Sequence, residues 1–182
     1  MSVFSKIFGA LNQDLPLFNN LDEGVDFLMN YLFRFSEELW DEEFYTEIRW
    51  LEIRDDVHFQ ESILHVFKED GQYLRILDGD ISSGVWENEL GGIILKINGR
   101  HELYECTFLN EEFFILKKHG DHSIKGLASK YFFLTREPLG KRYEWPQLLS
   151  ILYAVYQSNT HFRIIVFVFV ALLFIVLFFT LF

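Results

Sequence analysis

The apolar residues along this chain change period twice. After Asn20, the residues Leu21, Val25, Leu28, Met29, Leu32, Phe35 and Leu39 recur three and four apart. That is the spacing of one helix face, and Asn20-Leu-Asp-Glu23 has the form of a capping box that starts such a helix. An amphipathic helix is predicted from Leu21 to about Trp40. Upstream, Val3, Phe4, Ile7, Phe8 and Leu11 also follow helical spacing until Pro16 interrupts it. This short segment would pack on the domain or lie on a membrane surface.

From Phe44 the period becomes two, with turn residues arriving every eight to twelve positions. Eight strands are predicted: Tyr45 to Ile53, Ser62 to Phe67, Gln72 to Leu77, Ser83 to Glu87, Ile93 to Ile97, Glu102 to Phe108, Phe113 to Lys118 and Lys130 to Arg136. Asn98-Gly99 is the strongest turn signal, because both central positions of a type I′ hairpin need positive φ. Alternation puts Ile93, Leu95 and Ile97 on one face, groups Tyr104, Cys106 and Phe108, and groups Phe113 with Ile115. Short connections throughout imply an antiparallel meander. Eight strands is the count at which a small barrel closes around side chains or one small ligand.

The third pattern has no polar face at all. An apolar helix is expected over Pro146 to Gln157, with Trp145, Tyr153 and Tyr156 suited to a headgroup layer. From Ile164 to Phe182 only Thr180 is polar. As a helix this run would extend about 28 Å at about 1.5 Å per residue, close to a hydrocarbon core of about 30 Å. The expectation is a single-pass tail anchor in the lipid bilayer, inserted after synthesis. Lys141, Arg142 and Arg163 precede it, so the globular part is expected on the cytoplasmic side. The divisions expected are a helical segment over 1–43, a β domain over 44–137, a juxtamembrane helix over 138–160 and a transmembrane helix over 161–182.

The stretches Phe67-Lys-Glu-Asp-Gly-Gln-Tyr73, Ser82-Ser-Gly-Val-Trp-Glu87, Gly92-Ile-Ile-Leu95, Tyr104, Glu112-Phe-Phe-Ile-Leu116 and Tyr131-Phe-Phe-Leu-Thr-Arg136 together resemble the bacterial lipocalin-like domains. The resemblance covers roughly residues 60 to 136. It implies a β-barrel fold, and it carries over no catalytic residues, because that family shares none.

Charge narrows the partners. The net charge of -11 falls almost wholly before the apolar tail, so the domain is repelled by phosphate backbones, and no nucleic-acid partner is expected. Cys106 is the only cysteine, which excludes an intramolecular disulfide.

Chemistry-bearing motifs are few. His119-Gly-Asp-His122 offers two imidazoles and a carboxylate but lacks the further ligands a zinc site wants, and it reads as a polar turn. His58 and His65 fall on opposite strand faces and are taken as ordinary surface or core histidines. Cys106 lies among apolar neighbours, where a thiol is protonated and inert. No nucleophile elbow or phosphate loop is present. No catalytic residue, cofactor or metal is expected. Trp86, two residues after Gly84, is expected to plug one end of the barrel. Trp86, Tyr104 and Phe113 are the candidate ligand-contacting residues of the interior.

The sequence thus predicts an α+β chain: an N-terminal amphipathic helix, an eight-stranded antiparallel lipocalin-like meander or barrel, and a C-terminal transmembrane helix. Its expected function is non-enzymatic, holding a partner protein or small apolar ligand at the membrane. In a second reading the barrel senses a ligand and the tail is a membrane-disrupting effector, as in defence systems.

Overall fold

A computed structural model of the chain describes residues 15–56, 61–89, 91–119, 129–154, 168–172 and 175. Helix α1 spans Leu21–Leu32, followed by single 3-10 turns at Phe33–Phe35 and Glu42–Phe44. Eight strands come next: β1 Trp50–Ile53, β2 Ile63–Phe67, β3 Gln72–Leu77, β4 Asp80–Glu89, β5 Gly92–Ile97, β6 Arg100–Leu109, β7 Phe113–Lys118 and β8 Tyr131–Arg136. A short helix α2 at Glu137–Gly140 and a helix over residues 145–154 (α3) complete the described domain.

Each strand pairs antiparallel with its sequence neighbour, and β1 pairs with β8 from Trp50↔Arg136 to Ile53↔Phe133, so the barrel closes. A closed, eight-stranded antiparallel barrel is consistent with a lipocalin-like fold. Closure removes both sheet edges, which an open meander would leave exposed. The Asn98-Gly99 hairpin forms as its sequence dictates, with φ of 51° and 74°.

Two apolar clusters divide the barrel wall between them. The interior holds Tyr45, Trp50, Phe67, Tyr73, Trp86, Ile93, Leu95, Tyr104, Phe114, Leu116, Phe132 and Leu134. The outer face of β6 to β8 presents Phe108, Phe113, Ile115, Tyr131 and Phe133 to α1 and α3, whose buried faces are Leu21, Val25, Leu28 and Leu32 and then Leu148, Leu149 and Leu152. Burying each such side chain contributes about 1.5–3 kcal/mol.

Polar ties fix α1 in place. Asn20 Oδ1 accepts from the Glu23 N–H at 2.8 Å, while the Glu23 carboxylate reaches back to Asn19 N–H at 2.9 Å. Asp22 accepts from the N–H groups of Lys130 and Tyr131, and Asp26 from the Tyr131 hydroxyl, which joins the first helix to the last strand.

The structure corrects several expectations. The first helix stops at Leu32, not near Trp40, because Leu39 serves the barrel interior and not the helical stripe. Its carbonyl is held by the Tyr45 hydroxyl at 3.1 Å and by Asn88 Nδ2 at 2.9 Å. β1 begins at Trp50 rather than Tyr45, since Glu47 adopts a left-handed φ of 57° and only Thr46 bridges to Phe67. A bulge in β6 between Cys106 and Phe108 shifts the phase of the strand. Tyr104 and Cys106 consequently face inward while Phe108 faces out beside Phe113 and Ile115. Phe113, a candidate interior residue, therefore packs under the helices on the outside.

Residues 1–14, His58, residues 120–128 and most of the predicted tail lie outside the described residues. Among the described residues, no helix is long and apolar enough to cross a membrane.

Candidate functional site

The barrel interior is divided along its axis. At the end where β2, β4 and β6 finish, large rings fill the lumen. Tyr45 packs edge-on against Trp86 at 5.5 Å and stacks on Phe114 at 5.3 Å, and Phe67 adds edge contacts to both Tyr45 and Trp86. The indole of Trp86 donates to the Lys68 carbonyl at 2.8 Å and that of Trp50 to the Tyr45 carbonyl at 2.9 Å, so neither buried N–H is orphaned. The segment before β1 lies across this end, with Glu37 N–H bonded to the Leu109 carbonyl and Glu47 N–H to that of Phe67. Trp86 is thus part of a plug, as its place after Gly84 suggests. A Cβ at Gly84 would collide with the Lys96 carbonyl, which explains the glycine in that strand.

Among the described residues the opposite end is open. Here a cavity of about 550 Å³ enters the lumen, within the size range of small-ligand sites. Strand alternation supplies its lining: Glu52 follows Trp50 in β1 and Arg54 comes just after that strand, Arg75 follows Tyr73 in β3, and Arg100, Glu102 and Tyr104 occupy the inward positions of β6. His65, Leu95, Ile97, Asn98, Lys118 and Phe132 complete it.

A buried polar chain runs through this wall. His65 is only 2% exposed. Its Nε2 lies 3.1 Å from Glu52 Oε2, and its Nδ1 lies 2.5 Å from the Tyr73 hydroxyl. Arg54 Nε donates to the other Glu52 oxygen at 2.7 Å. One protonation pattern satisfies every member: Nε2–H donates to the Glu52 carboxylate, and Tyr73 O–H donates to Nδ1 of a neutral ring. The electrostatics agree. Burial lowers the His65 pKa, outweighing the pull of Glu52. Burial alone would raise that of Glu52, but hydrogen bonds from His65 and Arg54 bring it down to about 2. Burial, helped by Glu52, raises the Tyr73 pKa and keeps the phenol protonated. The Phe132 ring stands edge-on to His65 at 4.7 Å and lies 5.3 Å from Tyr104. Tyr104 in turn donates to Glu102, and its pKa is raised by burial and by that carboxylate.

Of the candidate ligand-contacting residues, Tyr104 lines the open cavity, Trp86 sits in the plug and Phe113 is outside the barrel. Sequence reasoning missed His65, Glu52 and Arg75. Their signal was phase: charged or polar residues in register with the inward aromatics Trp50, Phe67 and Tyr73 mark the end of the lumen that stays wet. Cys106 also points inward, and burial pushes its thiol up to about 12. Among the described residues no cluster of side chains could hold a metal ion. Compared with family models, curated proteins and solved structures, the chain matches none of them.

Proposed function

We propose that this chain is a non-enzymatic, lipocalin-like binding module, held at the cytoplasmic face of a membrane by residues 164–182, whose barrel mouth takes up a small molecule. The observation that carries this reading is the half-filled lumen: a ring-packed plug at one end and a cavity of about 550 Å³ at the other. A barrel needing only stability would gain from filling both ends with apolar side chains. Here one end instead keeps a buried His65–Glu52 pair, whose desolvation makes it a weak contributor to stability.

Binding rather than catalysis is favoured because both nitrogens of His65 are occupied, by Glu52 and Tyr73, which leaves this imidazole no free nitrogen to act as a base toward the cavity. The anchor reading rests on the apolar run itself. Residues 168–172 are helical, and Val168, Phe169, Val170 and Leu172 are exposed instead of being packed into the domain core. A lipid environment would cover them, and tethering would raise the local concentration of the module at the bilayer without any new contact.

Native mass spectrometry of the full chain, purified in a mild detergent and released from its micelle, tests the reading. A retained small molecule, lost when the protein is unfolded, is expected. A ligand-free spectrum from protein purified without denaturant, unchanged after incubation with a small-molecule extract of the host cells, would refute it.

A further inference from the structure

Resting on the binding reading above, we propose that the barrel mouth takes a compact organic anion: a carboxylate or phosphate monoester on a short aromatic or aliphatic frame, recognised by Arg75 and Arg100. The first argument is charge. Among the described residues, four basic side chains, Arg54, Arg75, Arg100 and Lys118, line the cavity against two carboxylates, Glu52 and Glu102, with His65 neutral. This surplus occurs in a chain whose net charge is -11. A basic lining inside an acidic protein is a local arrangement that the overall composition does not supply.

The second argument is pairing. Glu52 is taken by Arg54 and His65, and Glu102 accepts from Tyr104. Neither Arg75 nor Arg100 forms an ion pair among the described residues. The two guanidinium groups reach the same cavity from β3 and β6. A guanidinium fork matches the geometry of a carboxylate or phosphate, and a partly desolvated one gains most from such a partner.

The third argument is depth. Ile97 pairs with Arg100 at the rim, and deeper than that pair the wall offers Leu95 and the rings of Tyr104 and Phe132, which suit a ring or short chain. Beyond these, the plug of Tyr45, Trp50, Phe67, Trp86 and Phe114 occupies the lumen, leaving no channel for a long acyl chain. The ligand is therefore small, with its charge at the rim and its apolar part inward.

Calorimetric titration of the full chain in a non-ionic detergent with phenyl phosphate, benzoate and neutral benzyl alcohol tests the proposal. Phenyl phosphate, benzoate or both should bind, and the stronger of the two identifies the anionic group. Benzyl alcohol should bind at least about tenfold more weakly. Arg75→Gln with Arg100→Gln should weaken the anion by about tenfold or more while leaving the circular dichroism spectrum unchanged. Arg100→Gln alone, at an exposed rim position, gives the same reading should the double variant not fold. Equal binding of benzyl alcohol, or anion affinity indifferent to both arginines, overturns the anion assignment but leaves the mouth a ligand site. No binding by any of the three probes also overturns it, and a molecule retained in native mass spectrometry would show that the broader reading survives.

Discussion

The hydroxyl of Tyr73 lies 2.5 Å from Nδ1 of His65, with both residues buried in the barrel wall. Since Glu52 takes the other ring nitrogen, the imidazole is held neutral between a carboxylate and a phenol. The bases Arg54 and Arg75 face the same ring and disfavour its protonation further.

Stability should consequently depend on this histidine in mildly acidic solution. The folded His65 pKa lies below the ordinary 6.5, so the unfolded chain takes up the proton first. The stabilisation is present above about pH 6.5 and is lost as pH falls below it. Glu52, held down to about 2 from 4.5, adds a separate loss only below about pH 4.5. Thermal melts of the wild type should therefore decline from pH 7 to pH 5. His65→Leu should remove that decline, while destabilising the protein at pH 7 by about 1–3 kcal/mol for each stranded partner. A parallel decline in both proteins would contradict the neutral-ring assignment.

The plug makes a prediction that separates packing from hydrogen bonding. Trp86→Ala should cost about 3–5 kcal/mol in urea unfolding, because the rings of Tyr45 and Phe67 lose their contact. Trp86→Phe keeps an aromatic ring and removes one of two hydrogen bonds to the Lys68 carbonyl, which still accepts from Gly71 N–H, so it should cost only about 0.5–1.5 kcal/mol. Equal losses for the two variants would mean that the ring contacts contribute little.

Two glycines should respond differently to alanine. At Gly84 the added methyl meets the Lys96 backbone carbonyl, which can move only with the strand, so Gly84→Ala should cost about 1–3 kcal/mol. At Gly24 the nearest atom is the end of the Leu149 side chain, which can rotate away. Urea midpoints should rank Gly84→Ala below Gly24→Ala, and the reverse order would place the tighter contact between the helices.

Cys106 should be slow to react. Burial keeps its thiol protonated up to about 12, so alkylation by iodoacetamide at pH 8 should proceed at least about tenfold faster in urea-unfolded protein. Equal rates would mean that the thiol is open to solvent.

Much of the barrel is legible in the sequence, and what is missing has identifiable physical causes. β3 and β7 occupy their predicted spans because each is bounded by turn residues that fix where it starts and stops. β6 hides a bulge, which no alternation rule anticipates, and that single extra residue turns Phe108 outward. Phe113 misleads because β7 is buried on both faces, one by the lumen and one by α1 and α3, so its hydrophobicity does not reveal a side. The role of His65 depends on Glu52 and Tyr73, thirteen and eight residues away, and becomes visible only once β1, β2 and β3 are in register. The closed end was easier to foresee, since Trp86 after Gly84 is a local pattern.

The most direct test of where ligands enter is chemical-shift mapping of the isotope-labelled full chain in detergent micelles as phenyl phosphate is added. Binding in the mouth predicts shifts concentrated at Tyr73, Arg75, Leu95, Arg100, Tyr104 and Phe132, with Trp50, Trp86 and Phe113 unmoved. Shifts confined to the outer positions Val85 and Leu103, or spread through the plug, would contradict a binding site at the open end of the barrel.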